Sequence, residues 1–141
     1  MAVASSENRT KFAGAVQGIV EKYGVDGVEF EYVPPPFLKR LGVSWSFHDY
    51  SWESPNNQPS GGCNTVSADD SANFLDFLQT MRQTLGTNKT ISAAVGLTTW
   101  NDANGSPLTN VSAYADVLDY ICGLYSPFFN VVLTNSRLRQ F

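Results

Sequence analysis

Three carboxylates fall within six residues in the stretch Asp26-Gly27-Val28-Glu29-Phe30-Glu31. In an extended segment Val28, Phe30 and Tyr32 share one face, and Gly27, Glu29 and Glu31 share the other. Carboxylates crowded in a semi-buried row repel one another and lose hydration, so part of the set holds protons near neutral pH. A carboxyl group that keeps its proton at that pH is a general acid. The plainer alternative is an edge strand with its acids in water.

The flanking residues decide how such a strand would be held. Asn8 to Tyr23 has a helical period in Phe12, Val16, Ile19, Val20 and Tyr23, with Ser5 or Ser6 able to cap its start and Gly24 where a helix stops. Helix, glycine and short strand make half of a β/α repeat, and such repeats carry their chemistry at the C-terminal ends of parallel strands. Glu29 and Glu31 are placed there. Downstream, Ser67-Ala68-Asp69-Asp70 resembles a capping box with Asp where Glu or Gln is usual. Phe74, Leu75, Leu78, Met81 and Leu85 continue a helix that Gly86 closes. Thr90 to Leu97 reads as a strand of small and apolar residues, as expected for a wall covered on both faces. Thr98 to Pro107 is a polar loop that holds Trp100 and the turn Asn104-Gly105-Ser106-Pro107. A third short helix follows, with Leu108 able to staple its start. The spacing predicts helices over Asn8–Tyr23, Ser67–Leu85 and Asn110–Leu118, and neighbouring parallel strands at Gly27–Phe30 and Ile91–Val95.

Asn8-Arg9-Thr10-Lys11-Phe12, followed by Lys22-Tyr23-Gly24-Val25-Asp26-Gly27-Val28, resembles the approach to the signature of glycoside hydrolase family 18, the chitinases. The family's strand reads D-G-x-D-x-D-W-E-Y-P, and its last acid protonates the glycosidic oxygen. Read straight through, this chain has Glu29 and Glu31 where the family has aspartates, and Val33 at the proton-donor position. Valine has no proton to donate. Beyond the interruption, Trp52-Glu53-Ser54-Pro55-Asn56-Asn57 resembles the missing continuation, and removing Tyr32–Ser51 joins Glu31 to Trp52. The removed piece has Pro34-Pro35-Pro36, no clear period and the sole histidine, His48. Codons for Glu-Tyr-Val and for Tyr50-Ser51 can carry splice donor and acceptor sequences, and splicing there writes Asp at position 31. Tyr32–Ser51 is therefore expected to be a translated, unspliced intron, poorly ordered or irregularly packed; the competing reading is a lineage-specific loop at the top of a barrel.

From Asn64 to about Ile121 the resemblance is continuous and closest to secreted fungal members, as in Val111-Ser112-Ala113-Tyr114-Ala115-Asp116-Val117-Leu118. It implies an α/β fold, a partial (β/α)8 TIM barrel that holds the middle β/α repeats only. A complete barrel takes about 250 residues, and this chain has 141. The expected division is 1–31 as the first part of the family domain, 32–51 as insert, 52–121 as its continuation, and 122–141 as a non-homologous tail. In that tail Cys122-Gly123-Leu124-Tyr125-Ser126-Pro127 replaces the family's M-x-Y-D strand, and a second unspliced intron would account for it. The family's secreted members begin well upstream, so the N-terminus is expected to be truncated.

The mechanism that the resemblance implies is substrate-assisted retention, in which the sugar's N-acetyl oxygen attacks the anomeric carbon. Glu53 would be the proton donor, Glu31 (Asp once spliced) the acetamido partner, and Glu29 and Asp26 the supporting charges. Trp52 and Trp100 would contact the sugar; the competing reading of Trp100, a lone loop tryptophan, is a lid over local core. The implied function is that of a fragment of a chitinase-like hydrolase acting on β-1,4-linked N-acetylglucosamine polymers, inactive as written. The alternative is a non-catalytic, lectin-like chitin-binding member, and an unrelated small α/β domain is the third reading weighed. The partner implied is chitin or N-acetylglucosamine oligosaccharides. No cofactor and no metal are expected, since the single His lies outside the resembling parts and there is no Cys/His cluster.

Charge narrows the classes further. A net charge of −4 and a pI near 4.7 argue against nucleic acid or an anionic membrane as partner. The apolar run Ile121–Leu133 is too short to span a bilayer and contains Pro127. Cys63 and Cys122 are able to pair in an oxidising compartment. Four sequons, at Asn8, Asn88, Asn104 and Asn110, lean toward a secretory ancestry. An extracellular location follows from the family, although Met1 runs into Ala-Val-Ala-Ser-Ser without the features of a signal peptide.

Overall fold

The computed structural model of the protein describes residues 4–30, 67–95, 100–123 and 132–134. Within them the chain runs α1 (Ser6–Tyr23), β1 (Gly27–Phe30), α2 (Asp70–Leu85), β2 (Thr90–Val95), α3 (Ser112–Ala115), β3 (Tyr120–Gly123) and β4 (Val132–Thr134). The strands form one sheet in the order β1-β2-β3-β4. β1 to β3 are parallel to their neighbours, which bears out the expected pairing of Gly27–Phe30 with Ile91–Val95. β4 is antiparallel to β3. It lies in the segment read as a non-homologous tail, and its direction departs from the parallel strands of a β/α barrel. The insert Tyr32–Ser51 lies outside the described residues.

Local chemistry accounts for the helix ends. The Ser5 hydroxyl accepts a hydrogen bond from the Asn8 amide at 3.2 Å, satisfying one of the donors that a helix start leaves over. Gly24 stops α1 with φ of 63°, a left-handed conformation that costs glycine nothing. α2 begins at Asp70, three residues later than expected. The Asp70 carboxylate does accept the Ser67 amide at 3.0 Å, but the Ser67 hydroxyl serves the Asp69 amide instead of that of Asp70. α3 is a single turn where Asn110–Leu118 was expected. The reason is tertiary: the Val117 and Leu118 amides still donate to the Tyr114 carbonyl, but the Asp119 amide donates to the Ile91 carbonyl and draws the chain into the sheet.

Helices cover one face of the sheet. Phe77 is fully buried, stacked on Phe12 of α1 at 5.1 Å between centroids and edge-on to Phe30 of β1, also at 5.1 Å. Burying such a ring stabilises the fold by about 1.5–3 kcal/mol. Phe74, Leu78 and Met81 continue the α2 face into the same core, joined by Ile91, Ala93, Leu118 and Ile121. Arg9 ties the two helices on the outside, donating to Asn73 at 3.0 Å and pairing with Asp76 at 3.0 Å.

Arg82 closes the other end of α2. Its Nε and Nη2 both donate to the Val117 carbonyl, at 3.0 and 2.8 Å. Nη1 donates to the Gly86 and Lys89 carbonyls, and Nη2 also to the Asp119 carboxylate at 2.8 Å. All five guanidinium N–H groups are thereby matched to acceptors. The same Asp119 oxygen accepts the Ile91 amide at 2.8 Å, so one cation sets the entry of β2 and of β3 together.

Two substitutions test these supports. Arg82→Gln leaves carbonyls of Lys89 and Val117 without their donor and should lower unfolding free energy by about 2–3 kcal/mol, read from urea denaturation. Gly27→Ala should also destabilise the protein, by about 1–3 kcal/mol. A Cβ at that position would stand 2.3 Å from the Thr90 carbonyl oxygen, which belongs to the strand backbone. A fall in melting temperature for Arg82→Gln no larger than that of an exposed control such as Gln79→Ala would contradict the first expectation.

Candidate functional site

β1 has two chemically different faces, as its alternation implied. Val28 and Phe30 pack against the helix-covered core. Cα pairing places Val28 beside Ile91, and Phe30 beside Ala93 and, one strand on, Ile121. On the opposite face the same register brings Glu29, Ser92 and Tyr120 into one row across β1, β2 and β3. These three residues, with Asp26, Gly27, Val28 and Thr90, line a concavity of about 330 Å³.

The concavity exists because small side chains form its floor. Gly27 has none, and Ser92 is buried with only a hydroxyl. Asp26, Glu29, Thr90 and Tyr120 add two carboxylates, a hydroxyl and an aromatic ring to the residues that line it. This set offers acceptors for hydroxyl and amide donors together with an aromatic surface, the combination a neutral sugar uses. Among the described residues that line it, none carries a cationic side chain.

Asp26 and Glu29 are thus brought to one site, but in a setting that differs from the expected semi-buried row. Both are exposed. β1 is one of the two edge strands of the described sheet, and Asp26 and Glu29 face water there, which is the plainer of the two readings of this stretch. Glu31, Trp52 and Glu53 lie outside the described residues.

Trp100 is elsewhere. It is 3% exposed and is not among the residues lining the concavity. Its indole stacks on Tyr114 with centroids 3.9 Å apart and meets Phe74 edge-on at 5.9 Å. The loop closes behind it through the Asn101–Pro107 bridge and a hydrogen bond from the Leu108 amide to the Trp100 carbonyl at 2.7 Å. The Ser71 hydroxyl also holds the loop, donating to the Asn101 carbonyl. In this arrangement Trp100 covers local core, the competing reading for a loop tryptophan.

Ser92 and Tyr120 were not singled out as site residues from sequence. Their only signal was alternation within short strands, Ser92 between Ile91 and Ala93 and Tyr120 before Ile121. Which strand lies beside which, and in what register, is not written in that alternation. Among the described residues no cluster of His, Cys, Asp and Glu could hold a metal ion.

The Tyr114 hydroxyl donates to the Ser71 carbonyl at 2.8 Å. Burial pushes its phenol well above tyrosine's ordinary value of 10.0. The sign follows: with the folded value raised, the stabilisation is fully present below about pH 10, where unfolded tyrosine keeps its proton, and is lost as pH climbs from there toward the folded value. Unfolding free energy should fall by up to about 1.4 kcal/mol per pH unit above pH 10. Denaturation curves between pH 8 and 11 should show a shallower alkaline decline in Tyr114→Phe than in the parent.

No protein-family model matches the chain. It is 35% identical over 124 residues to a chitinase-like effector of Moniliophthora perniciosa, a match that covers 87% of this chain and 24% of the relative. A chitinase-like effector of Moniliophthora roreri is 35% identical over 143 residues, covering 99% of this chain and 30% of the relative. Among solved structures, a chitinase from Rhizomucor miehei superposes with a TM-score of 0.70 at 23% identity, over 90% of this chain and 34% of that one. The chain spans less than a third of the length of these two effector relatives. In sequence and in fold it is chitinase-like, and its helices and parallel strands correspond to part of a chitinase-like α/β fold.

Proposed function

We propose that this chain is part of a glycoside hydrolase family 18 barrel which binds chains of β-1,4-linked N-acetylglucosamine and does not cleave them. The observation that carries the reading is the meeting of Asp26 and Glu29 with Ser92 and Tyr120 at one polar concavity, while the position two after Glu31 is Val33. These residues would supply the hydrogen-bonding part of a sugar site. The proton donor is absent from its place in the signature.

Hydrolysis by substrate assistance needs the donor and the acetamido partner on one strand face. Glu53 follows Glu31 by 22 positions instead of two, and adjacency on a strand face requires a separation of two. Glu29 and Glu31 each carry one more methylene than the family's aspartates, which displaces hydrogen bonds that tolerate about 0.5 Å. The interruption at Tyr32–Ser51 is accounted for by a retained intron, and residues 122–141 by a non-homologous tail. That the matched relatives are chitinase-like effectors supports a role in binding. The ligand is neutral, in keeping with the net charge of −4. Four sequons support an extracellular location, and no described helix is long and apolar enough to cross a membrane.

Titration calorimetry with chitin oligosaccharides should give saturable binding that weakens about tenfold in Glu29→Ala, with no release of reducing ends above a protein-free blank. Failure to bind any oligosaccharide would remove the carbohydrate reading. Turnover by the 141-residue chain that disappears in Glu53→Gln would instead show that it is a working hydrolase. Removing Tyr32–Ser51, changing Glu31→Asp and supplying the rest of the barrel should restore cleavage, and Glu53→Gln should abolish it there while sparing binding.

A further inference from the structure

The four sequons are not equivalent once the fold is known. Asn8 lies in the first turn of α1, where the Thr10 hydroxyl already donates to the Ser6 carbonyl at 3.0 Å and points back along the helix. Asn88 precedes β2, and its hydroxyl residue, Thr90, is half-buried where the strand pairs with Gly27. Asn104 sits in a tight turn in which the Asp102 carboxylate accepts the amides of both Asn104 and Ser106, and Pro107 follows the sequon directly.

Asn110 is different. Its side-chain oxygen accepts the Ser112 amide at 2.9 Å and the Ser112 hydroxyl at 2.8 Å. The sequon hydroxyl is thus already engaged with the asparagine amide. Thr109, Asn110, Ser112 and Ala113 are exposed, while Val111 between them is 3% exposed and anchors the turn in the core. Both bonds use Oδ1, and neither engages the Asn110 Nδ2. Both hydrogen bonds span two residues only, so this geometry needs no tertiary partner and is available to a nascent chain.

From this we infer that Asn110 is an N-glycosylation site and the preferred acceptor among the four sequons. The donor is an oligosaccharide linked through a diphosphate to a lipid, delivered by a membrane-bound oligosaccharyltransferase. The Asn110 Nδ2 attacks the anomeric carbon, a C–N bond forms, the C–O bond to the diphosphate breaks, and the amide loses one proton to a base of the transferase. The lipid diphosphate leaves as the anion, with no change of oxidation state. None of residues 109–112 lines the concavity, so a glycan there leaves the Asp26–Glu29 site open.

The test is translation of the full 141-residue chain behind a cleavable signal peptide in the presence of microsomes, with glycans scored by endoglycosidase-sensitive gel shift and by peptide mass. Occupancy at Asn110 should exceed that at Asn8, Asn88 and Asn104. It should be lost in Asn110→Gln and in Ser112→Ala and kept in Ser112→Thr. Ser112→Thr, which keeps the hydroxyl, separates loss of the acceptor geometry from loss of the fold. An unmodified Asn110 alongside a modified control acceptor would overturn the assignment, as would equal or higher occupancy at any of the other three sequons.

Discussion

The Arg82 guanidinium is the constraint on which the described structure depends. One planar group with five donors meets carbonyls from the α2–β2 connection and from the segment before β3, together with the Asp119 carboxylate. A lysine has a single ammonium and would reach only part of this set. Because Asp119 also accepts the Ile91 amide and donates its own amide to the Ile91 carbonyl, the register between β2 and β3 is set before the ladder begins. A slip of one residue would turn Ile121 away from the core and Tyr120 toward it.

That register is also what assembles the polar row. Glu29, Ser92 and Tyr120 come from strands separated by more than sixty and then by twenty-eight positions in the chain, and nothing local relates them. On the other face the same pairing puts Val28 beside Ile91, and Phe30 beside Ala93 and Ile121, under Phe77 and Phe12. Core and concavity are two sides of one alignment. The backbone contact between Gly27 and Thr90 leaves no room for a Cβ, so the glycine beside the first acid is required by packing whatever the acid does.

The aromatic cluster of Phe74, Trp100 and Tyr114 shows how a loop is made part of the core. Trp100 fills the space between α2 and α3, Tyr114 stacks on it and bonds back to Ser71, and the Ser71 hydroxyl holds the Asn101 carbonyl. A tryptophan in such a closed circuit contributes area and order to the loop. An exposed aromatic platform for a sugar needs a bare face, which Trp100 does not have.

Element type and rough position were legible in sequence wherever local signals agreed. The apolar period of α1 and its stop at Gly24, the strand alternation at Gly27–Phe30, and the small-residue strand at Ile91–Val95 all follow from chain geometry and side-chain chemistry within a few residues. So did the family resemblance, through Asp26-Gly27-Val28-Glu29 and its neighbours. Tertiary structure decided what local signals cannot encode. It shortened the helix expected at Asn110–Leu118, because Asp119 bonds to Ile91, and it turned β4 antiparallel. It placed Trp100 in the core, since a loop tryptophan has the same sequence whether it covers core or faces solvent. It also left Asp26 and Glu29 in water at an edge of the described sheet. How dry a carboxylate is depends on what lies across the sheet from it, and that is set by strand order and register, which periodicity along one strand does not contain.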